Sequence, residues 1–208
     1  MKLINLPIAV VCFSLLLNTG CSKLAGIAVG IKSIKEVDER TIIKYARKYS
    51  IPEADCYQID TAYSGYLLSG DAVNRKTEIN NHYQPLQAIY YNRSGNIEAY
   101  HINCKTGGFP NLDWNRNDNF SVFPPKQQTE IDSLVPLSAQ LKYLKPLTGT
   151  TLTEIDNYDY TVIVFWCRFM GRQSRRLIKT VQDNYKLAKD KKVKVLYVNV
   201  DNLFAGKL

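Results

Sequence analysis

Residues 160–167 read YTVIVFWC, residues 170–190 read MGRQSRRLIKTVQDNYKLAKD, and residues 193–200 read VKVLYVNV. The first run is continuously apolar, as expected of a strand covered on both faces. In the second, Leu177, Ile178, Val181, Tyr185 and Ala188 recur at helical spacing, with Arg172, Arg175, Lys179 and Lys186 opposite them. The third is another β-branched, apolar run, and it ends at Asp201. Strand, helix and strand in this order predict a right-handed βαβ unit with parallel strands. Two strands cannot bury a core by themselves, so this unit must find neighbours elsewhere in the chain.

The upstream sequence supplies them. Pro85 opens a hairpin: Leu86–Tyr91 as one strand, residues 92–96 as a turn containing Gly95, and Ile97–Cys104 as the return strand. Asp38 is placed to cap a helix through Ile42, Ile43, Tyr45, Ala46 and Tyr49, with Pro52 beyond it. Asp60 opens a short helix through Tyr63 and Leu67, and residues 70–82 read as a polar loop. Residues 105–126 form a loop rich in Gly, Pro, Asn and aromatics. Helical periodicity returns from about Ile131 to Leu144.

Residues 160–202 resemble the first half of a thioredoxin fold. Phe165-Trp166 and Val198-Asn199-Val200-Asp201 stand where that family has Phe-Trp and a strand ending in Val-Asp. In this register the family's redox Cys-x-x-Cys falls on Met170, Gly171, Arg172 and Gln173, so both redox cysteines are replaced. A thioether and an amide supply neither a thiolate nor a resolving thiol. The resemblance therefore implies the fold and a redox-inactive domain.

The chain order of helix 38–50, hairpin, helix 131–144 and βαβ unit then reads as α/β, a thioredoxin-like central mixed sheet flanked by helices and circularly permuted. On this reading residues 37–208 are one domain, made of an N-terminal helix and hairpin part (37–150) and the βαβ unit (160–202). The alternative is an unrelated N-terminal domain packed on a truncated half. Permutation puts Pro85 in the place of the family's cis-proline, facing the helix start. The resemblance then implies a binding groove made of Pro85, Met170, Gly171, Arg172 and Gln173. A peptide, a protein or a small anionic ligand could occupy it, and cations at the helix start favour an anion.

The N-terminus reads MKLINLPIAVVCFSLLLNTGC. Lys2, a ten-residue apolar stretch from Ile8 to Leu17 and small residues before Cys21 make 1–20 a secretory signal, too short to span a bilayer. Leu17-Asn18-Thr19-Gly20-Cys21 resembles a bacterial lipobox, of the looser kind seen in Bacteroidetes lipoproteins. That implies lipidation of Cys21 with fatty acyl chains such as palmitate. A plain signal peptide with a nearby Cys is the alternative. Residues 21–36 then serve as a tether, and no acidic residue adjoins the Cys. The expected location is the cell envelope, lipid-anchored in the outer membrane, with the membrane itself as one partner.

The chain has 208 residues, with 27 Lys and Arg against 19 Asp and Glu. Removing the signal removes Lys2 alone, leaving 26 against 19, a net +7. Outside the cytoplasm nucleic acid is a poor partner for this charge. In an oxidising envelope Cys56 and Cys104 are candidates for a bridge, with three free thiols as the alternative. Cys167 ends an apolar strand and reads as core, or, in a second hypothesis, as the nucleophile of a single-cysteine thiol oxidoreductase. His82 and His101 are isolated in the sequence, so no metal site and no cofactor is expected. The sequence holds no phosphate loop, dinucleotide fingerprint, Gly-x-Ser-x-Gly elbow or His-Glu-x-x-His motif.

Overall fold

The computed structural model describes residues 31–69, 73–104, 111, 113–148 and 155–206. The signal segment, Cys21 and the tether up to residue 30 lie outside the described residues. Asp38 caps the first helix by accepting the Thr41 N–H at 2.8 Å, and α1 spans Glu39–Lys48. Strand β1 is Cys56–Ile59, and helices α2 (Tyr63–Leu68) and α3 (Lys76–His82) follow. The hairpin is β2 (Gln87–Asn92) and β3 (Ile97–Ile102). Helix α4 is Leu137–Leu141, and β4 is Leu144–Pro146. The βαβ unit is β5 (Tyr160–Trp166), α5 (Gly171–Tyr185) and β6 (Val193–Asn199), and α6 is Asp201–Ala205.

One six-stranded mixed sheet carries the fold, in the order β3-β2-β5-β6-β1-β4. β5 and β6 are parallel, with Ile163 level with Leu196. β2 lies antiparallel on the other flank of β5, with Ile89 level with Ile163, so the hairpin and the βαβ unit share one sheet. β1 runs parallel to β6, and β4 closes the far edge antiparallel to β1.

Helices cover both faces. Tyr49, just past α1, packs edge-on against Trp166 at 5.7 Å, and Tyr90 donates to Asn184 Oδ1 of α5. These contacts put α1 and α5 on one face. On the other, Tyr63 of α2 stacks on Phe165 and donates to Gln140 Oε1 of α4. Several of the tyrosines are core residues whose hydroxyls find a partner. Tyr91 donates to the Val135 carbonyl, Tyr66 to the Leu134 carbonyl and Tyr100 to Gln87 Oε1. Each of these rings contributes its apolar area without leaving an unpaired polar atom inside.

Four expectations need correction. The polar composition of residues 70–82 predicts loop, yet Lys76–His82 is helical, with Ile79 and His82 buried against the sheet. The helix expected over 131–144 is confined to Leu137–Leu141. Pro136 has no N–H for a continuing helix and marks its start, while residues 131–135 run alongside the sheet as an irregular segment. Strands β1 and β4 were unforeseen. Finally, the expected tether docks from Lys32 onward: the Lys32 N–H donates to the Phe169 carbonyl at 2.7 Å, and Ile34 and Val37 pack on the core.

Candidate functional site at the ends of the central strands

β5 ends at Trp166, and the loop Cys167–Met170 turns the chain into α5. Ser174, in the first turn of that helix, donates to the Cys167 carbonyl at 2.7 Å and accepts the Cys167 N–H at 3.1 Å. The Val200 N–H donates to the Trp166 carbonyl, tying the end of β6 to the end of β5. Asp201 is fully buried beside them. Its Oδ2 accepts the Arg168 N–H at 2.7 Å and the Asn199 Nδ2 at 2.8 Å. Burial raises the Asp201 carboxyl above its ordinary value, outweighing its hydrogen bonds and the charge of Arg168.

The N-terminal segment lies across this loop. Arg168 Nη2 donates to the Ser33 carbonyl at 3.0 Å. Val37 and Asn202 exchange two hydrogen bonds, Val37 N–H to Oδ1 and Asn202 Nδ2 to the Val37 carbonyl. Tyr49 closes the start of α5 from above: a Cβ added at Gly171 would come within 2.6 Å of the Tyr49 hydroxyl oxygen. Burial pushes that phenol up to about 12.

The expected groove residues are therefore only partly on show. Met170 is 5% exposed and Gln173 1%, whereas Arg172 faces solvent. Both inward side chains pack beneath the helix start, against the buried ends of the central strands. Pro85 is half-buried. Its peptide bond with Gln84 is trans, unlike the cis-proline whose place it was expected to take. Continuing the β2–β5 register past Gln87 and Phe165 brings Pro85 level with Cys167. The hairpin base does approach the helix start, since Asn103 N–H donates to the Leu86 carbonyl and its Nδ2 lies 4.0 Å from Met170 Sδ.

The thiols are separate. Cys56, Cys104 and Cys167 are all free. A Cys56–Cys104 bridge is excluded by topology: Cys56 is on β1 and Cys104 lies just past β3, four strand spacings away, or about 19 Å. A disulfide needs Cα atoms within about 7 Å. Cys167 is 0% exposed, and burial raises its thiol well above the ordinary value. Burial also pushes Cys56 up to about 12. A reactive thiol requires the opposite shift.

No family model matches the chain, and neither the curated proteins nor the solved structures give a significant match.

Sequence reasoning missed a second polar centre. His82 Nε2 lies 3.0 and 3.1 Å from the two carboxylate oxygens of Asp132, and the imidazole stacks on Tyr100 at 4.9 Å. Burial alone would raise the Asp132 carboxyl. The hydrogen bond and charge of His82, with the Leu134 N–H and Arg75, hold it below its usual value instead. An open groove of about 470 Å³ borders Asp132, with Arg75, Glu78, Asn96 and Pro136 among its walls. No hydroxyl or thiol among the described residues bonds to the other ring nitrogen, Nδ1, which has no partner. The pair thus lacks a nucleophile and joins α3 to the 129–136 segment. His101, by contrast, meets no carboxylate and packs on Phe120 at 4.3 Å.

Among the described residues no helix is long and apolar enough to cross a membrane, and no cluster of three His, Cys, Asp or Glu could hold a metal ion.

Proposed function

We propose that this chain is a lipoprotein of the bacterial cell envelope, held to the outer membrane through acylated Cys21, whose circularly permuted thioredoxin-like domain has lost redox chemistry and acts by binding. The observation that carries the reading is the strand-loop-helix start at Trp166–Ser174. It has Met170 and Gln173 where a redox pair would stand, and Cys167 is sealed beneath. The hairpin lying antiparallel beside β5 supports the permuted order. The partner is a protein, a peptide or a small anion. Of the helix-start residues, Arg172 is exposed, whereas Met170 and Gln173 are covered.

The competing enzyme reading makes Cys167 a nucleophile. Burial of that thiol opposes it, and no observation favours it. A disulfide-reduction assay on the purified protein, run beside thiol labelling followed by peptide mapping, separates the two. The binding reading expects no turnover, and labelling of Cys167 only after denaturant is added. Turnover that is abolished by Cys167→Ser would overturn it. Mass spectrometry of the mature N-terminus reads the acyl chains on Cys21 independently.

A further inference from the structure

The solvent-facing sides of α1 and α5 make one continuous basic surface. α1 carries Arg40, Lys44, Arg47 and Lys48 against Glu39, with Arg47 paired to Glu53, and Arg175 and Lys179 of α5 are exposed. Contacts join the two helices. Lys32 and Lys48 both place their ammonium groups over the Tyr45 ring, at 5.8 and 6.0 Å, and Tyr45 packs on Tyr49 at 6.0 Å. Tyr49 in turn walls an open groove of about 560 Å³ with Ser50, Arg175, Lys179 and Lys186. The acid in this groove, Asp183, is already bonded to Lys179 and Lys186.

The described chain begins at this same surface. Ile31 is exposed, and the next residue, Lys32, is one of the two cations over Tyr45. Ten peptide steps run from Cys21 to Ile31, a reach of at most about 35 Å. An anchor at Cys21 therefore attaches on this side of the molecule and brings it within reach of the headgroups. There a row of Lys and Arg gains from a negative surface potential, which fades within about a Debye length of 8 Å.

We infer that the basic face of α1 and α5, from Lys32 and Lys48 to Arg175 and Lys179, lies against the anionic headgroups of the membrane that holds the anchor. The inference rests on the lipoprotein reading for its geometry. It deepens that reading by fixing which way the domain faces, and it turns the opposite side, with α2, α3 and α4, away from the membrane.

The test uses the mature chain isolated from cells, carrying Cys104→Ser to silence the half-buried thiol. A dye is attached at Ser50→Cys in the groove or at Ser94→Cys on the tip of the β2–β3 hairpin. Vesicles of phosphatidylcholine, with or without phosphatidylglycerol, carry a lipid-borne quencher. The expected result is several-fold stronger quenching at position 50 when phosphatidylglycerol is present. That gain should be lost in high salt and lost in a Lys48→Glu, Arg175→Glu variant, with position 94 unchanged throughout. Equal quenching at the two positions overturns the inference, as does quenching indifferent to phosphatidylglycerol. A response of the position-50 dye to inorganic phosphate without vesicles, competing with the lipid effect, would assign the groove to a soluble anion and also overturn it. Thermal unfolding checks that the charge variant folds; the lipid and salt arms on the parent decide without it. The N-terminal mass keeps the two readings apart. Acyl chains with no phosphatidylglycerol dependence sink the face alone. An unmodified N-terminus with that dependence sinks the anchor and leaves the face standing.

Discussion

His101 is a fully buried imidazole on β3, set against the ring of Phe120. Burial pushes it down to about 4 from an ordinary 6.5. The folded state thus resists protonation more than the unfolded chain does. Between pH 6.5 and about 4 the unfolded chain binds the extra proton, so stability rises with pH across that window and is lost as the pH falls. Each pH unit of that window is worth about 1.36 kcal/mol, so the loss across it is on the order of 3 kcal/mol. Denaturant midpoints across this range should fall in acid for the parent and fall much less for His101→Phe. Gly171 gives a second residue-scale expectation, this one steric. Gly171→Ala forces the new Cβ against the Tyr49 hydroxyl, at an expected cost of about 2 kcal/mol. Adding Tyr49→Phe should recover part of that loss, and chemical denaturation of the single and double variants would show it. Equal stability of the two would remove Tyr49 from the account.

At the scale of elements, the β2–β3 hairpin depends on its turn. Gly95 sits at φ +77, and the Asn92 side chain accepts the N–H groups of Ser94 and Asn96. Gly95→Ala should cost about 1 kcal/mol through backbone strain, read as a lower denaturant midpoint with an unchanged slope. This hairpin was legible because β-branched and aromatic runs flank a Gly-containing turn. The βαβ unit was legible because two apolar runs bracket a helix with one apolar stripe. β1 was not: Cys56–Ile59 is four residues long, too short for its alternation to stand out between a Pro and a pair of acidic residues on one side and Asp60 on the other. β4 is three residues and ends in Pro146, a residue that normally argues against a strand and is tolerated here because it sits on the sheet edge. Helix α3 is polar throughout except for Ile79, so its sequence looks like loop, and tertiary burial of His82 decides it. The helix-start residues Met170–Gln173 were found through the family resemblance. Asp201 was marked only as the end of the family's strand motif, and Arg168 was not marked at all. Their hydrogen bond joins the loops that follow β5 and β6, a meeting that depends on the folded βαβ unit.

For the whole molecule, the N-terminal segment is the part that most changes the picture. A stretch expected to be a tether supplies backbone partners to the centre of the fold. The amides of Lys32 and Val37 both donate to groups of the folded core, so their hydrogen exchange should be markedly slower than that of exposed neighbours such as Lys35. Rapid exchange at both would mean that the segment is not held in solution. Met170 and Gln173 are buried, so surface recognition fits the chain better than a groove beneath the helix start.

The bond between Lys32 and Phe169 also has a mechanical meaning. Any tug on the anchored end reaches the molecule at the loop between β5 and α5, not at an outer edge of the sheet. Load would first strip the 32–37 segment, and only then reach α1 and, through it, β1 between β6 and β4. A pulling experiment from the N-terminus should therefore record a small early yield before the main rupture.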